Sequence, residues 1–154
     1  MRLCTYLDGD SAQSGVILGD SVYPLGESSI NNVILKYDVA DLNRIVYDDG
    51  QALIDLQDIE LTNPYLDPPK IWGIGLNYRE HAKDLDENSP DQEPASFMKP
   101  TTTIVAPGSP IMLPLQSDRV TGEAELGVII GKRCKDVSLT QASEVIFGYT
   151  TIID

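Results

Sequence analysis

The stretch that decides the fold of the second half of this chain is Glu123-Ala124-Glu125-Leu126-Gly127-Val128-Ile129-Ile130-Gly131. Successive side chains of a strand point to opposite faces, so the two acids share one face and Ala124, Leu126, Val128 and Ile130 line the other. The two acidic side chains then leave the backbone about 7 Å apart. At that separation both carboxylates can converge on one cation, although a solvated strand face accounts for the same acids without one.

Several short motifs flank this strand. Gly75-Leu76-Asn77-Tyr78-Arg79-Glu80-His81, Phe97-Met98-Lys99-Pro100 and Pro107-Gly108 precede it, and Gly148-Tyr149-Thr150 follows it, shortly before Asp154. In this order and at this spacing the set resembles the fumarylacetoacetate hydrolase family. The resemblance covers roughly residues 70–154 and rests on several separate motifs, each of which is weak alone.

The resemblance implies a metal site. In that family a strand Glu-x-Glu and a later Asp hold the metal, and the matching positions here are Glu123, Glu125 and Asp154. Carboxylates with neither His nor Cys among the ligands suit a hard ion such as Mg²⁺, Mn²⁺ or Ca²⁺. Mg²⁺ usually keeps waters and completes its shell with substrate oxygens, which fits a chelating diketone or 2-oxo acid.

His81 is the only histidine of the chain. On a helix, Asp84 lies three positions further and faces the same way, so its carboxylate can orient the imidazole. The match to the family motif implies that His81 takes a proton from water, whereas a lone surface histidine beside an acid is the ordinary alternative.

Lys99 and Tyr78 are the candidate substrate-binding residues. Lys99 lies on the loop that resembles the family's Phe-x-Lys-Pro segment, where it either binds a substrate carboxylate, pairs with a metal ligand or is a solvated loop lysine. Tyr78 either lines the pocket or packs in a core or lid.

The resemblance implies a metal-dependent hydrolase that cleaves a carbon–carbon bond in an acylpyruvate-like or fumarylacetoacetate-like 2-oxo or 1,3-diketo acid. Members of the family also decarboxylate oxo acids or isomerise unsaturated diacids, so a decarboxylase or isomerase of the oxaloacetate or hydroxymuconate type is the alternative. An inactive partial domain is a hypothesis of a different class.

One departure concerns the end of the chain. The family pattern continues past the metal Asp with further strands and a substrate-contacting lysine, whereas this sequence stops at Asp154. We therefore expect a truncated catalytic domain. The missing strands should leave an unpaired sheet edge and expose the apolar face of Leu126, Val128 and Ile130.

The predicted fold class is mixed α+β and β-rich. Residues 1–66 are expected to form a small β-rich N-terminal unit, and residues 67–154 the first part of a fumarylacetoacetase-type β-roll domain. The boundary is the turn- and proline-rich segment around 62–69. Asp8-Gly9 and Gly19-Asp20 between apolar runs predict hairpins.

Local patterns predict the remaining elements. Helices are expected from Ser28 or Ser29, through 39–46, after an Asn77 cap with Glu80 completing a capping box, and from Ser138 to about Phe147. Further strands are expected near 52–61, 71–74, 103–106, 111–113 and 150–154. Cys4 and Cys134 lie in apolar strand-like runs and are expected to be reduced and at least half-buried.

The net charge of −13 and the sequence pI near 4.2 argue against nucleic acid and against an anionic membrane surface as partners. They do not exclude a small anionic oxo-acid substrate, because a bound dication reverses the local field. The N-terminus lacks the apolar core of a signal peptide and no stretch is long enough to span a membrane, which predicts a cytoplasmic protein. A homodimer is implied by the resemblance alone.

Overall fold

The computed structural model describes residues 1–48, 50–84, 86–88, 90 and 93–154. Its architecture is mixed α+β and strand-rich, as the sequence predicts. In chain order the elements are β1 (Arg2–Asp8), β2 (Ser11–Leu18), β3 (Ser21–Pro24), α1 (Ile30–Lys36), α2 (Val39–Asp48), β4 (Ile54–Asp55), β5 (Glu60–Thr62), β6 (Ile71–Gly75), α3 (Arg79–Asp84), β7 (Ala95–Lys99), β8 (Ala124–Ile130), α4 (Ala142–Val145) and β9 (Ile146–Ile153).

The first part of the chain is built around an antiparallel sheet with the strand order β4-β3-β2-β1-β5. The two predicted hairpins are confirmed, since β1 pairs with β2 and β2 pairs with β3. Gly9 and Gly19 take positive φ angles of 59° and 61° in the connecting turns. Such angles favour glycine, which explains why these two dipeptides predicted the turns.

Two helices, α1 and α2, lie between β3 and β4 in the chain, and the first begins as predicted. The Ser29 hydroxyl accepts a hydrogen bond from the amide of Asn32 and caps α1. Apolar side chains from α1 and α2 form one buried cluster of Ile30, Val33 and Leu42, and Phe147 of β9 packs against it. The second part of the chain therefore contacts the first. No helix among the described residues is both long and apolar enough to cross a membrane.

The second part contains two separate antiparallel hairpins, β6–β7 and β8–β9. In the second of them Glu125 lies opposite Ile152, and Glu123 exchanges two backbone hydrogen bonds of 2.8 Å with Asp154. The predicted alternation along β8 is confirmed. Leu126, Val128 and Ile130 are 58%, 45% and 51% exposed on the other face, as expected.

Two predicted strands are wrong. Residues 103–106 and 111–113 form no strand, and the segment instead contains a short 3₁₀ turn at Thr101–Thr103. Prolines at 100, 107, 110 and 114 flank both stretches and lack the N–H that a ladder needs. The strand that pairs with β6 is β7, just before this proline-rich segment.

The helix predicted from Ser138 to Phe147 is also wrong in extent. Only the four residues of α4 are helical, and β9 begins at Ile146. The Ser138 hydroxyl donates a hydrogen bond to the side-chain oxygen of Gln141. These two side chains therefore pair with each other instead of capping the backbone amides of a helix. Pairing with β8 prevails over the local helical pattern, and Gly148 lies within β9 instead of ending a helix.

Two smaller expectations also fail. The predicted strand at 52–61 is broken by a 3₁₀ turn, where the Asp55 carboxylate accepts the Gln57 amide. Helix α3 begins at Arg79, and Glu80 pairs with Lys83 at 3.0 Å instead of completing a capping box with Asn77.

The two cysteines differ. Cys4 is buried, as predicted, whereas Cys134 is exposed because it lies in the loop after β8. Burial raises the pKa of the Cys4 thiol from 9.0 to about 11, and a weak hydrogen bond to the Gly15 carbonyl at 3.6 Å opposes this only in part.

This pKa predicts a loss of stability at alkaline pH. Below pH 9 the thiol is neutral in both states, and between pH 9 and 11 it ionises in the unfolded chain only, so the free energy of unfolding falls as pH rises. Two pKa units correspond to about 2–3 kcal/mol. Denaturant melts between pH 8 and 11 should show a shallower decline in Cys4→Ala. Cys134→Ala is the matched control, and an equal decline in Cys4→Ala would refute this source of the pH dependence.

Candidate active site

Helix α3 and the segment that leads into β8 face each other across an open cleft. Its volume is about 430 Å³. The residues that line it are His81, Asp84, Arg119, Thr121, Gly122 and Glu123. The cleft thus combines an imidazole, two carboxyl groups and a guanidinium, the kinds of group that transfer protons and bind anions.

The contact that links the two walls is between His81 and Glu123. His81 Nε2 lies 3.2 Å from Glu123 Oε1, and both side chains are about one-third exposed. The sole histidine therefore contacts the first acid of the Glu-x-Glu pair. The second carboxylate oxygen of Glu123 is not part of this contact, so it can bind another partner.

A second ion pair lies beside the first. The Lys99 ammonium, at the end of β7, pairs with the Asp154 carboxylate. Asp154 is the backbone partner of Glu123, so both pairs lie at the same end of the β8–β9 hairpin. Three roles were considered for Lys99: binding a substrate carboxylate, pairing with a metal ligand, and solvation on a loop. The ion pair with Asp154 corresponds to the second.

The donor chemistry at this end of the hairpin fits a hard divalent cation. Directly opposed strand residues share a face, so Glu123 and Asp154 lie on one face together with Glu125, two positions along β8. Their oxygens are the donors that Mg²⁺, Mn²⁺ and Ca²⁺ prefer. Within the described part of the chain, however, no three His, Cys, Asp or Glu side chains are gathered closely enough to hold a metal. Glu123 is directed to His81, and Asp154 to Lys99.

Two other predicted site residues, Asp84 and Tyr78, make no described side-chain contact with His81 or Glu123. Asp84 lines the same cleft as His81, but the contacts of the described residues include none between their side chains, and the carboxylate beside the imidazole belongs to Glu123. Tyr78 is 46% exposed and does not line the cleft, although its carbonyl accepts the Ala82 amide within α3. The functional roles of both residues stay predictions.

Sequence reasoning missed Arg119. It lines the cleft four residues before Glu123, and its backbone is tied to Ser117: the Ser117 hydroxyl donates to the Arg119 carbonyl at 2.7 Å. A signal was present in the sequence, because an arginine close to Glu-x-Glu stands out in a chain with 24 acidic residues and 11 Lys and Arg.

The second half of the chain matches a known protein family. Residues 70–154 match the family described as "Fumarylacetoacetate (FAA) hydrolase C-terminal". The chain belongs to the fumarylacetoacetate hydrolase family. The matched segment contains α3, the Lys99 loop and the whole β8–β9 hairpin, so every residue of the candidate site lies within it.

The curated relatives include an uncharacterized protein and two enzymes with different names. An uncharacterized protein of Pyrococcus horikoshii is 46% identical over 87 residues, which cover 56% of this chain and 37% of the relative. A mitochondrial oxaloacetate decarboxylase of Dictyostelium discoideum is 42% identical over 86 residues, covering 55% and 39%. A mitochondrial oxaloacetate tautomerase of Xenopus laevis is 38% identical over 108 residues, covering 70% and 33%. The chain thus spans less than half the length of these three relatives.

Solved structures of the family share the fold. A maleylpyruvate hydrolase from Sphingobium sp. SYK-6, solved with manganese(II) and pyruvate, superposes with a TM-score of 0.67 at 28% identity over 100% of this chain and 58% of that one. A fumarylacetoacetate hydrolase from Exiguobacterium antarcticum gives a TM-score of 0.78 at 25% identity, covering 99% and 55%. These neighbours are named as hydrolases, and the first holds a divalent metal and an oxo acid.

Proposed function

We propose that this chain supplies catalytic and metal-binding residues to an enzyme that cleaves a carbon–carbon bond in a 2-oxo or 1,3-diketo acid of the acylpyruvate type. The observation that carries the proposal is the 3.2 Å contact between His81 and Glu123. It joins the only candidate general base of histidine type to the Glu-x-Glu strand. The maleylpyruvate hydrolase neighbour, with its manganese and pyruvate, supports the substrate class.

In this proposal the protein's own residues handle the protons. His81 accepts a proton from water at its imidazole, and the hydroxyl adds to the acyl carbon of the substrate. The bond between that carbon and its neighbour then breaks, and the departing carbon keeps the electron pair and receives the proton. One water is consumed, and a carboxylic acid and a 2-oxo acid are formed. Glu123 stabilises the imidazolium that exists between the two proton transfers.

Glu123, Glu125 and Asp154 are the proposed ligands of a divalent cation, with Mg²⁺ as the expected ion and Mn²⁺ as the ion that a neighbouring structure contains. When bound, such an ion supplies Lewis-acid polarisation of the substrate carbonyls. Lys99 balances the charge of Asp154 until the ligands are engaged. Asp84 in the cleft is proposed to support His81, and Tyr78 and Lys99 to contact substrate.

A second candidate function is decarboxylation or tautomerisation of an oxo acid such as oxaloacetate. The curated relatives with those names are 42% identical over 86 residues and 38% identical over 108 residues, and the maleylpyruvate hydrolase is 28% identical over 100% of the chain. His81 can serve this chemistry as well, because decarboxylation and tautomerisation also require a proton transfer at a carbon next to a carbonyl. The two functions differ in whether water adds to the substrate.

A substrate panel separates these functions. The purified protein with Mn²⁺ or Mg²⁺ is assayed on an acylpyruvate and on oxaloacetate, with products identified by NMR and the metal removed by EDTA in parallel. We expect metal-dependent formation of pyruvate and a carboxylic acid from the acylpyruvate. Carbon dioxide or enol formation from oxaloacetate alone would favour the second candidate, and inactivity on every substrate would favour an inactive domain. A homodimer and a cytoplasmic location stay predictions.

A further inference from the structure

Among the charged or ionisable residues that line the cleft, Arg119 is the one to which neither the sequence motifs nor the proposed mechanism gives a role. It lines the cleft with His81 and Glu123. Among the ion pairs of the described residues none involves its guanidinium, although the chain carries 24 acidic residues. A cation that lines a cleft in a protein of net charge −13 is suited to an anionic ligand.

The position of Arg119 indicates which part of the ligand it meets. Of the proposed metal ligands only Glu123 lines the cleft, together with Arg119 and His81, whereas Glu125 and Asp154 do not. A cation held by the proposed ligands would bind the oxo-acid end of a substrate, so the Arg119 guanidinium is available to a second anionic group of the same substrate. Hydrogen bonds between the Arg119 backbone and Ser117, of 2.7 and 3.4 Å, fix the turn that carries the side chain.

We propose that Arg119 binds a second, distal carboxylate of the substrate and thereby selects dicarboxylic over monocarboxylic oxo acids. This inference rests on the proposed function for the identity of the oxo-acid end. Guanidinium and carboxylate form paired, charge-assisted hydrogen bonds that a neutral group cannot replace. Selection by Arg119 therefore depends on its charge and its geometry together.

Binding by two probes tests the proposal. The affinities of 2-oxoglutarate, with two carboxylates, and pyruvate, with one, are measured by calorimetry in the presence of Mn²⁺. For the wild-type protein we expect 2-oxoglutarate to bind about 10-fold more tightly. Arg119→Gln should remove this preference and leave pyruvate affinity unchanged, and Arg119→Lys should keep part of it. The matched control is Arg133→Gln, an exposed arginine outside the cleft lining.

The outcomes are distinct. Equal weakening of both probes in Arg119→Gln would overturn the assignment to a distal carboxylate, and unchanged binding of both, or no wild-type preference, would overturn any role in selection. Thermal melting of the Arg119→Lys variant shows whether the site is still folded. A wild-type protein that prefers 2-oxoglutarate through Arg119 but turns over no oxo acid would refute the proposed function and retain this inference.

Discussion

Replacing His81 by alanine is expected to lower the turnover of an acylpyruvate by about two to four powers of ten, the usual contribution of a general base. The structure supplies the reason, because His81 is the imidazole in the cleft and lies 3.2 Å from Glu123. Steady-state kinetics of the metal-loaded protein measure the effect. The loss should appear in kcat, since the proton transfer belongs to the chemical step.

The control for this variant is its metal response. His81 is not a proposed ligand, so metal-induced stabilisation of His81→Ala should match that of the wild type. The side chain is about one-third exposed, so its removal should cost little folding stability. A variant that keeps wild-type turnover, or that loses metal binding instead, would show that His81 has a different role.

Local sequence signals predicted those turns and helix starts whose backbone conformation depends on residues adjacent in the sequence. Gly9 and Gly19 mark turns because their positive φ angles are costly for other residues, and Ser29 marks a helix start because its hydroxyl accepts an orphan amide. The β8 alternation was equally local. The strand β7 was missed because Ala95–Lys99 shows no alternation, and its pairing with β6 is a long-range contact.

The pairs within the site could not be predicted in the same way. The motif around His81 indicated a general base and the Glu-x-Glu strand indicated metal ligands, but the contact between His81 and Glu123 depends on how α3 lies against the start of β8. Likewise, the pairing of Lys99 with Asp154 requires β7 and the end of β9 to be neighbours. Arg119 belongs to no recognised motif. It lines the cleft because the irregular segment before β8 forms one of its walls, which local sequence patterns do not predict.

The second large effect is expected when a divalent metal is added: the protein should become more stable to unfolding. Carboxylates on one face repel one another, and a dication relieves that repulsion. Saturating Mg²⁺ or Mn²⁺, at about 100 times the dissociation constant, should add about 2.7 kcal/mol to the free energy of unfolding. For a chain of this size the midpoint of thermal unfolding should then rise by about 5–10 °C.

The double variant Glu123→Gln with Glu125→Gln should lose this rise, because two of the three proposed ligands lose their charge and Asp154 retains Lys99 as its partner. Differential scanning calorimetry with and without metal measures the rise. The matched control is Glu60→Gln with Glu144→Gln, which removes the same charge from exposed positions outside the β8–β9 pairing face. If the rise were the same in the ligand variant as in this control, the ion would bind elsewhere and Glu123 and Glu125 would belong to a solvated strand face.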